Sequence, residues 1–386
     1  MWKVIRIAYF DNDKSALLQS PVQEVVAYIQ QTHQLPVFVT SHWKFGPHVD
    51  ITVDCDDELF VNELFPYARK HISAWLEDNP STTELNPEEY ERLSYQLAMS
   101  ELEPPPYVPL LNNNRLTVGE YKLSQAINIQ GFHHTKEQFL AASINLLFNL
   151  LGLKKANPDV FFCTLIFMMA SVAGRFKPDG IKRGYISYRS HAEYFFENFD
   201  KQGALRSKFN LLDQKYAPLI DGNIQAIAEN KITETSLPAS VQAMLSYWNI
   251  VVENTFAANR QVVDDNYEQI IQDDSEVSST EQNFAQLAET VSSQVPEEVN
   301  KPDRDYNTGK VVNSALQHEE GRQLFRSHDF ITYRTTVNYF YLLLPVLDIT
   351  PVQKFSLCHL IANSVERVFD IDWKDVIPTA VGGEND

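Results

Sequence analysis

A chain of 386 residues that is 44% hydrophobic and 12% aromatic can bury a sizeable core, which excludes wholesale disorder. Its net charge of −19 disfavours direct DNA contact, and three cysteines (Cys55, Cys163, Cys358) without a C-x-x-C pair provide neither a disulfide framework nor a structural zinc. The longest nearly apolar run, Val160 to Ala173, is shorter than the roughly 20 residues a bilayer requires, so no membrane contact and a cytoplasmic location are expected.

From the N-terminus, Lys3 to Phe10 alternates with the two-residue period of a strand. Pro21 to Gln31 has helical spacing, with Ser20 placed as its cap. Two strands, Val37 to Lys44 and His48 to Cys55, flank the turn Phe45-Gly46-Pro47. In the second, Val49, Ile51 and Val53 face one way, and His48, Asp50, Thr52 and Asp54 the other. Leu59 to Leu76 reads as a helix. The expected fold is α+β: a ferredoxin-like antiparallel sheet layer over residues 1–102, packed with a mostly helical part over 103–386.

The crossing Glu103 to Pro109 is too proline-rich for regular structure. Beyond it, Thr135-x-x-Gln138 reads as a capping box opening a helix through Leu153. Asn157-Pro158 opens an all-round apolar helix, and further helices are expected over Val241 to Arg260, Tyr333 to Leu347 and Val352 to Phe369. Residues 263–309 hold twelve acidic and two basic residues and read as an acidic insertion, with a loose helix around Asn283 to Ser292.

No phosphate loop, G-x-S-x-G elbow or H-E-x-x-H occurs. His133-His134 lacks a carboxylate at ligand spacing, so no metal site is expected, and Cys358 reads as a small core residue.

The segment Ser41-His42-Trp43-Lys44-Phe45-Gly46-Pro47-His48-Val49-Asp50-Ile51-Thr52-Val53 is similar to the hairpin G-x-H-h-R-h-R (h apolar) of the C-terminal, elimination-type domain of lantibiotic dehydratases. Tyr107 to Tyr121 resembles that family's next segment, and Tyr185 to Phe195 the start of its middle helix. Tyr333-Arg334-x-x-Val337-Asn338-Tyr339-Phe340-Tyr341, followed by Pro351-x-Gln353-Lys354-Phe355-x-Leu357-Cys358-His359-Leu360, resembles the closing helical pair of small stand-alone members from thiopeptide-type clusters. The likeness runs in order along the chain, apart from the acidic insertion.

The resemblance implies a tailoring enzyme for ribosomally made peptides, acting without a cofactor on a leader-bearing precursor peptide. It implies a separate glutamylating dehydratase subunit as partner, and a homodimer is compatible with it. Family members that eliminate glutamate hold the leaving carboxylate with arginines. Here Asp50 and Thr52 stand at those positions, and Asn338 where a histidine is usual. This favours another elimination, or the [4+2] cyclisation of two dehydroalanines known from a related branch, over glutamate loss. A non-catalytic module that binds the precursor beside the glutamylating subunit, or a glutamate-eliminating lyase, is the alternative. The aminoacyl-tRNA-dependent ligases of the same ancestry need a larger N-terminal domain and fit less well.

The residues expected to carry the chemistry are His48, Asp50, Tyr188, His191, Arg334 and Asn338, with Trp43, Lys44, Thr52 and Arg115 holding substrate. Seven of them also have a plain reading. His48 and Asp50 suit the solvent face of an edge strand, Tyr188 and His191 a helix cap, and Arg115 a turn. Arg334 and Asn338, one helical turn apart, suit either an outward face or a site.

Overall fold

The computed structural model describes residues 1–125, 127–271, 279–296 and 310–376. In chain order they form β1 (Trp2–Ala8), a helix α1 over residues 15–33, β2 (Val37–His42), β3 (His48–Asp54), a helix α2 over residues 57–78, α3 (Pro87–Glu101), β4 (Arg115–Gly119) and α4 (Gln130–Ala156). Helices α5 (Pro158–Ala173), α6 (Ile181–Phe199), α7 (Ala204–Asp221), α8 (Ile224–Ala228) and α9 (Ala239–Ile270) follow. After them come α10 (Ser279–Gln294), α11 (Lys310–Leu316), α12 (Glu319–Arg326), α13 (His328–Tyr341), α14 (Pro351–Phe369) and α15 (Trp373–Val376). The described residues fall into two compact units. The first takes those within Met1–Ala156, Phe284–Lys301 and Tyr341–Thr350, and the second those within Asn157–Asn283, Pro302–Phe340 and Pro351–Asp386.

In the first unit the strands form one sheet in the order β2-β3-β1-β4, every neighbouring pair antiparallel. With α1 between β1 and β2, and α2 and α3 between β3 and β4, this is the ferredoxin-like arrangement the alternation predicts. Its fourth strand, Arg115–Gly119, lies beyond the expected boundary at residue 102. One sheet face is apolar throughout: Ile5, Ile7, Val49, Ile51 and Val53 are fully buried. The other carries Arg6, His48 and Asp50, and cross-strand register sets Arg6 opposite Asp50 and His42 opposite His48. Strand β3 lies inside the sheet, so the edge-strand reading of His48 and Asp50 is overturned. His48 and Thr52 are buried.

In the first unit, helices α1, α3 and α4 start differently from expectation. Helix α1 begins already at Ser15, with Pro21 inside it, and Leu18–Val22 forms a wider π turn. Such a turn is one way to fit a residue that has no N–H into a continuing helix. Helix α3 was not foreseen, although Asn86 caps it by accepting hydrogen bonds from the Glu88 and Glu89 amides at 3.0 and 3.2 Å. Helix α4 starts at Gln130, so Thr135 lies inside it and bonds the Phe132 carbonyl rather than forming a capping box. By length and composition α4 is apolar enough to cross a bilayer, but Phe139, Leu140, Ile144, Leu147 and Leu150 are buried in protein core. Of the acidic stretch 263–309, the first part continues α9, and the expected helix is present as α10. Val291 of α10 and Val295, just past its end, pack on Ala98, Met99 and Tyr107. Residues 272–278 and 297–309 lie outside the described residues.

The second unit is built around α5. Asn157 caps it, and nearly all its side chains are buried, as an all-round apolar helix requires. Helices α6, α7, α8, α9 and α14 pack against it. The contact with α6 is close because residue 184 is glycine: a Cβ there would stand 2.5 Å from the Ala173 carbonyl oxygen. Tyr188 and Trp248 reach the carbonyls of Met169 and Met168 near the end of α5, at 3.0 and 2.9 Å. Helix α14 is tied to α7 by Arg367, which bonds Asp213 at 2.6 Å and Asp221 at 2.8 Å, and to α6 by Arg189, which bonds Glu366 at 3.1 Å. Helix α13 runs from His328 to Tyr341, displaced toward the N-terminus from the expected span, and Pro345–Leu347, which belongs to the first unit, forms a separate 3-10 turn.

Candidate functional site

The candidate residues fall in two groups, one in each unit, and each group is described by itself. In the first unit they belong to the polar sheet face. The turn that brings β3 beside β2 passes through Phe45 at φ 66° and Gly46 at φ 101°. A Cβ at Gly46 would meet the Phe10 ring at 2.7 Å, so only glycine fits there. The Gly46 carbonyl oxygen lies 2.8 Å from His48 Nδ1. A carbonyl can only accept, so Nδ1 carries the proton and the neutral ring keeps its lone pair on Nε2, the form a general base needs. His42 has the opposite arrangement. Its Nδ1 accepts the Lys44 amide at 2.9 Å, which leaves the N–H on Nε2. The two rings are 5.9 Å apart between centroids. Burial lowers the pKa of His48, against the opposing pull of Asp50, and burial together with His48 lowers that of His42. Both rings are held neutral.

Asp50 is engaged by Arg6. The guanidinium donates from Nε to Oδ1 at 2.8 Å and from Nη2 to Oδ2 at 2.6 Å, a bidentate pair in which both side chains are mostly covered. The hydrogen bonds to Asp50 raise the Arg6 pKa further. His48 Nε2 stands 3.9 Å from Asp50 Oδ2. Lys44 is committed as well, donating to Glu103 at 2.6 Å and to the Pro104 carbonyl at 2.7 Å. Trp43 donates to Glu101 at 2.6 Å, and Tyr90 donates to the Trp43 carbonyl at 2.6 Å. Trp43 and Lys44 therefore latch the hairpin tip to the end of α3 and the proline crossing. Thr52 is buried opposite Phe38. Arg115 is exposed and opens β4 rather than a turn.

In the second unit a cavity of about 210 Å³ lies between α6, α11, α12 and α13. Ser187, Ser190 and His191 line it from α6, and Arg334 from α13. Tyr333 also lines it, with its hydroxyl donated to the Gly184 carbonyl at 2.5 Å. Burial and then the charges of Lys354 and Arg334 push the His191 pKa down to about 3, so the ring is neutral. Burial lowers that of Arg334 to about 10, which leaves it charged at neutral pH. His191 and Tyr188 lie within α6 and cap nothing. Tyr188 is fully buried, with its hydroxyl spent on the Met169 carbonyl, and does not line the cavity. Asn338 is half-buried one turn beyond Arg334, and it too is absent from the cavity wall. Cys358 is buried, as a core residue should be. Among the described residues no three His, Cys, Asp or Glu side chains are grouped to hold a metal.

Reasoning from the sequence missed Arg6 and His42. Both lie on strands of evident alternation, but what marks them is their cross-strand partner, and that is a property of register.

The family described as lantibiotic biosynthesis dehydratase, C-terminal, matches residues 2–365. No curated protein matches the chain. Among solved structures, the pyridine synthase TbtD from thiomuracin biosynthesis is similar over 96% of this chain and 99% of that one, with 18% identity and a TM-score of 0.68. TsrL is similar over 100% of this chain and 99% of that one, with 15% identity and a TM-score of 0.62. At these identities the likeness is one of fold.

Proposed function

The chain belongs to the lantibiotic biosynthesis dehydratase C-terminal family, and from that premise we propose that it tailors a leader-bearing precursor peptide by joining two dehydroalanines in a formal [4+2] cyclisation. The observation that carries the choice is the Arg6–Asp50 pair. A glutamate-eliminating site must receive a departing carboxylate, and paired guanidinium groups are the usual means. At this hairpin Arg6 is already neutralised by Asp50 and Lys44 by Glu103.

Cyclisation makes a different demand. Two new bonds close a six-membered ring, after which water and the leader, as its amide, leave to make the ring aromatic. No free anion is released. The protein has to orient two alkenes and move protons between nitrogen, oxygen and carbon. His48, with its lone pair on Nε2, takes the amide proton and returns it to a leaving group. His42, with its N–H on Nε2, donates to the oxygen that departs as water. Arg6 and Asp50 act through His48 by fixing the charge beside it. An elimination other than glutamate loss would use the same proton transfers but close no ring, so product mass separates the two. In this reading a separate glutamylating dehydratase supplies the dehydroalanines.

Replacing His48 with Gln keeps a polar side chain of similar reach while removing the base. Turnover of a dehydrated precursor is expected to fall about a hundredfold or more, with the melting temperature little changed. Wild-type turnover in His48→Gln would contradict the assignment.

A further inference from the structure

The cavity between α6, α11, α12 and α13 takes no part in these proton transfers, and its walls define a guest of their own. We propose that it binds an uncharged hydroxyaromatic ring, a phenol, whose hydroxyl group meets that of Ser190. The inference does not rest on the cyclisation reading.

The volume sets the size of the guest. An apolar cavity of about 150 Å³ takes benzene, so in proportion a ring with two further heavy atoms needs about 200 Å³. This cavity has a volume of about 210 Å³. It suits p-cresol, which is the tyrosine side chain ending at its methyl group. Much of the wall is apolar. Ile186, Val312 and Leu324 line it beside the Phe325 and Phe330 rings, which stand 4.5 Å apart and are tilted by 49°. A third ring can meet such a pair edge to face. These walls are preformed. At Gly321 an added Cβ would lie 1.9 Å from the Ala315 carbonyl oxygen, so α11 and α12 touch with no side chain between them. Glu320 belongs to the wall and is exposed to water, so the cavity opens to the surface on that side.

The polar groups of the wall narrow the chemistry. Tyr333 spends its hydroxyl on the Gly184 carbonyl at 2.5 Å, and Arg183 faces Asp179 at 3.5 Å. His191, Tyr194 and Arg334 have interactions of their own, and an uncharged guest needs no counter-ion from them. Ser190 is different. It lies one helical turn beyond Ser187 on the side of α6 that faces the cavity. Serines inside helices often bond the carbonyl four residues back, as Ser143 and Ser171 do at 2.8 and 3.2 Å. Among the described residues the Ser190 hydroxyl has no hydrogen-bond partner. One unspent hydroxyl in a mostly apolar hollow is the kind of group that orients a ligand. A phenol can donate to it or accept from it.

The test titrates the full chain by calorimetry with p-cresol, toluene and N-acetyltyrosinamide. p-Cresol is expected to bind with a Kd of about 1 mM or tighter, a modest affinity for eight non-hydrogen atoms. Ser190→Ala should weaken p-cresol by about three- to tenfold and leave toluene unchanged, since only the phenol uses the hydroxyl. Val312→Trp fills the cavity from α11 and Ser190→Trp from α6, and each should abolish the binding of both rings while a thermal melt shows the variant folded. N-acetyltyrosinamide separates two sources of the same ring. Binding at least as tight as that of p-cresol assigns the site to a tyrosine of a peptide, and binding of p-cresol alone assigns it to a free small molecule. The inference is overturned if p-cresol does not bind, if Ser190→Ala binds it as the wild type does, or if its binding survives in a folded tryptophan variant.

Discussion

Asp50 sits where the resemblance to glutamate-eliminating members implies an arginine, and its partner across the ladder is an arginine. The charge pattern of the hairpin is thus shifted by one strand and cancelled. Removing one member should show this. Asp50→Ala leaves Arg6 charged and mostly covered, and is expected to cost about 3 kcal/mol in chemical denaturation. The double replacement Arg6→Met, Asp50→Leu should recover most of that stability, since a buried pair contributes little net once both members are replaced. His48 sets the expected pH dependence. Its pKa lies below the ordinary histidine value, so it stays an unprotonated base as the pH falls through about 6.5. The rate should hold across that range and fall only at lower pH, where the ring takes up a proton. A rate already halved at pH 6.5 would place the base elsewhere. The candidacy of His48 was legible from its position in an alternating strand. Its tautomer was not, because the Gly46 carbonyl that fixes it is brought into place by a turn with two residues at positive φ.

Among the elements, close helix contacts do the positioning. The Tyr333 hydroxyl bonds the carbonyl of Gly184, the same residue whose missing side chain lets α6 lie against α5. Gly184→Ala is expected to lower stability by about 2 kcal/mol. Gly152→Ala in α4 is the control. An added Cβ there meets only the end of Gln19 at 3.8 Å, so alanine should stabilise by roughly 0.5–1 kcal/mol. Thermal melts of the two variants should therefore move in opposite directions, and a shared direction would contradict the packing described. Helix α5 was legible because its apolar run has no polar face and its cap, Asn157-Pro158, is explicit. Helices α6 and α7 were hardly so. Their buried sides carry Arg189 and Asp213, whose partners Glu366 and Arg367 lie more than 150 residues further along the chain. Strand β4 was missed because it is a short edge strand with an exposed arginine at its start, which reads as a turn after three asparagines.

For the molecule as a whole, the order of soft motifs carried more information than any single motif. The α+β fold is the one the strand and helix periodicities predicted, and the family is the one the ordered likeness implied. The acidic stretch, which stood outside that likeness, is in part structural, since α10 closes an apolar cluster with Tyr107. What the sequence order could not supply was the separation of the candidate residues into two groups, one on the polar sheet face of the first unit and one among the helices of the second.

Ring closure and glutamate loss leave products of different mass. The most direct test of the proposed cyclisation is to incubate the chain with a precursor peptide whose serines are already dehydrated and to weigh the products. With ring closure the precursor is expected to be replaced by two species, a leader ending in an amide and a cyclic core, whose masses together fall short of the precursor by one water. Loss of glutamate from a glutamylated precursor with no ring formed, or an unchanged peptide that merely co-purifies, would contradict the proposal.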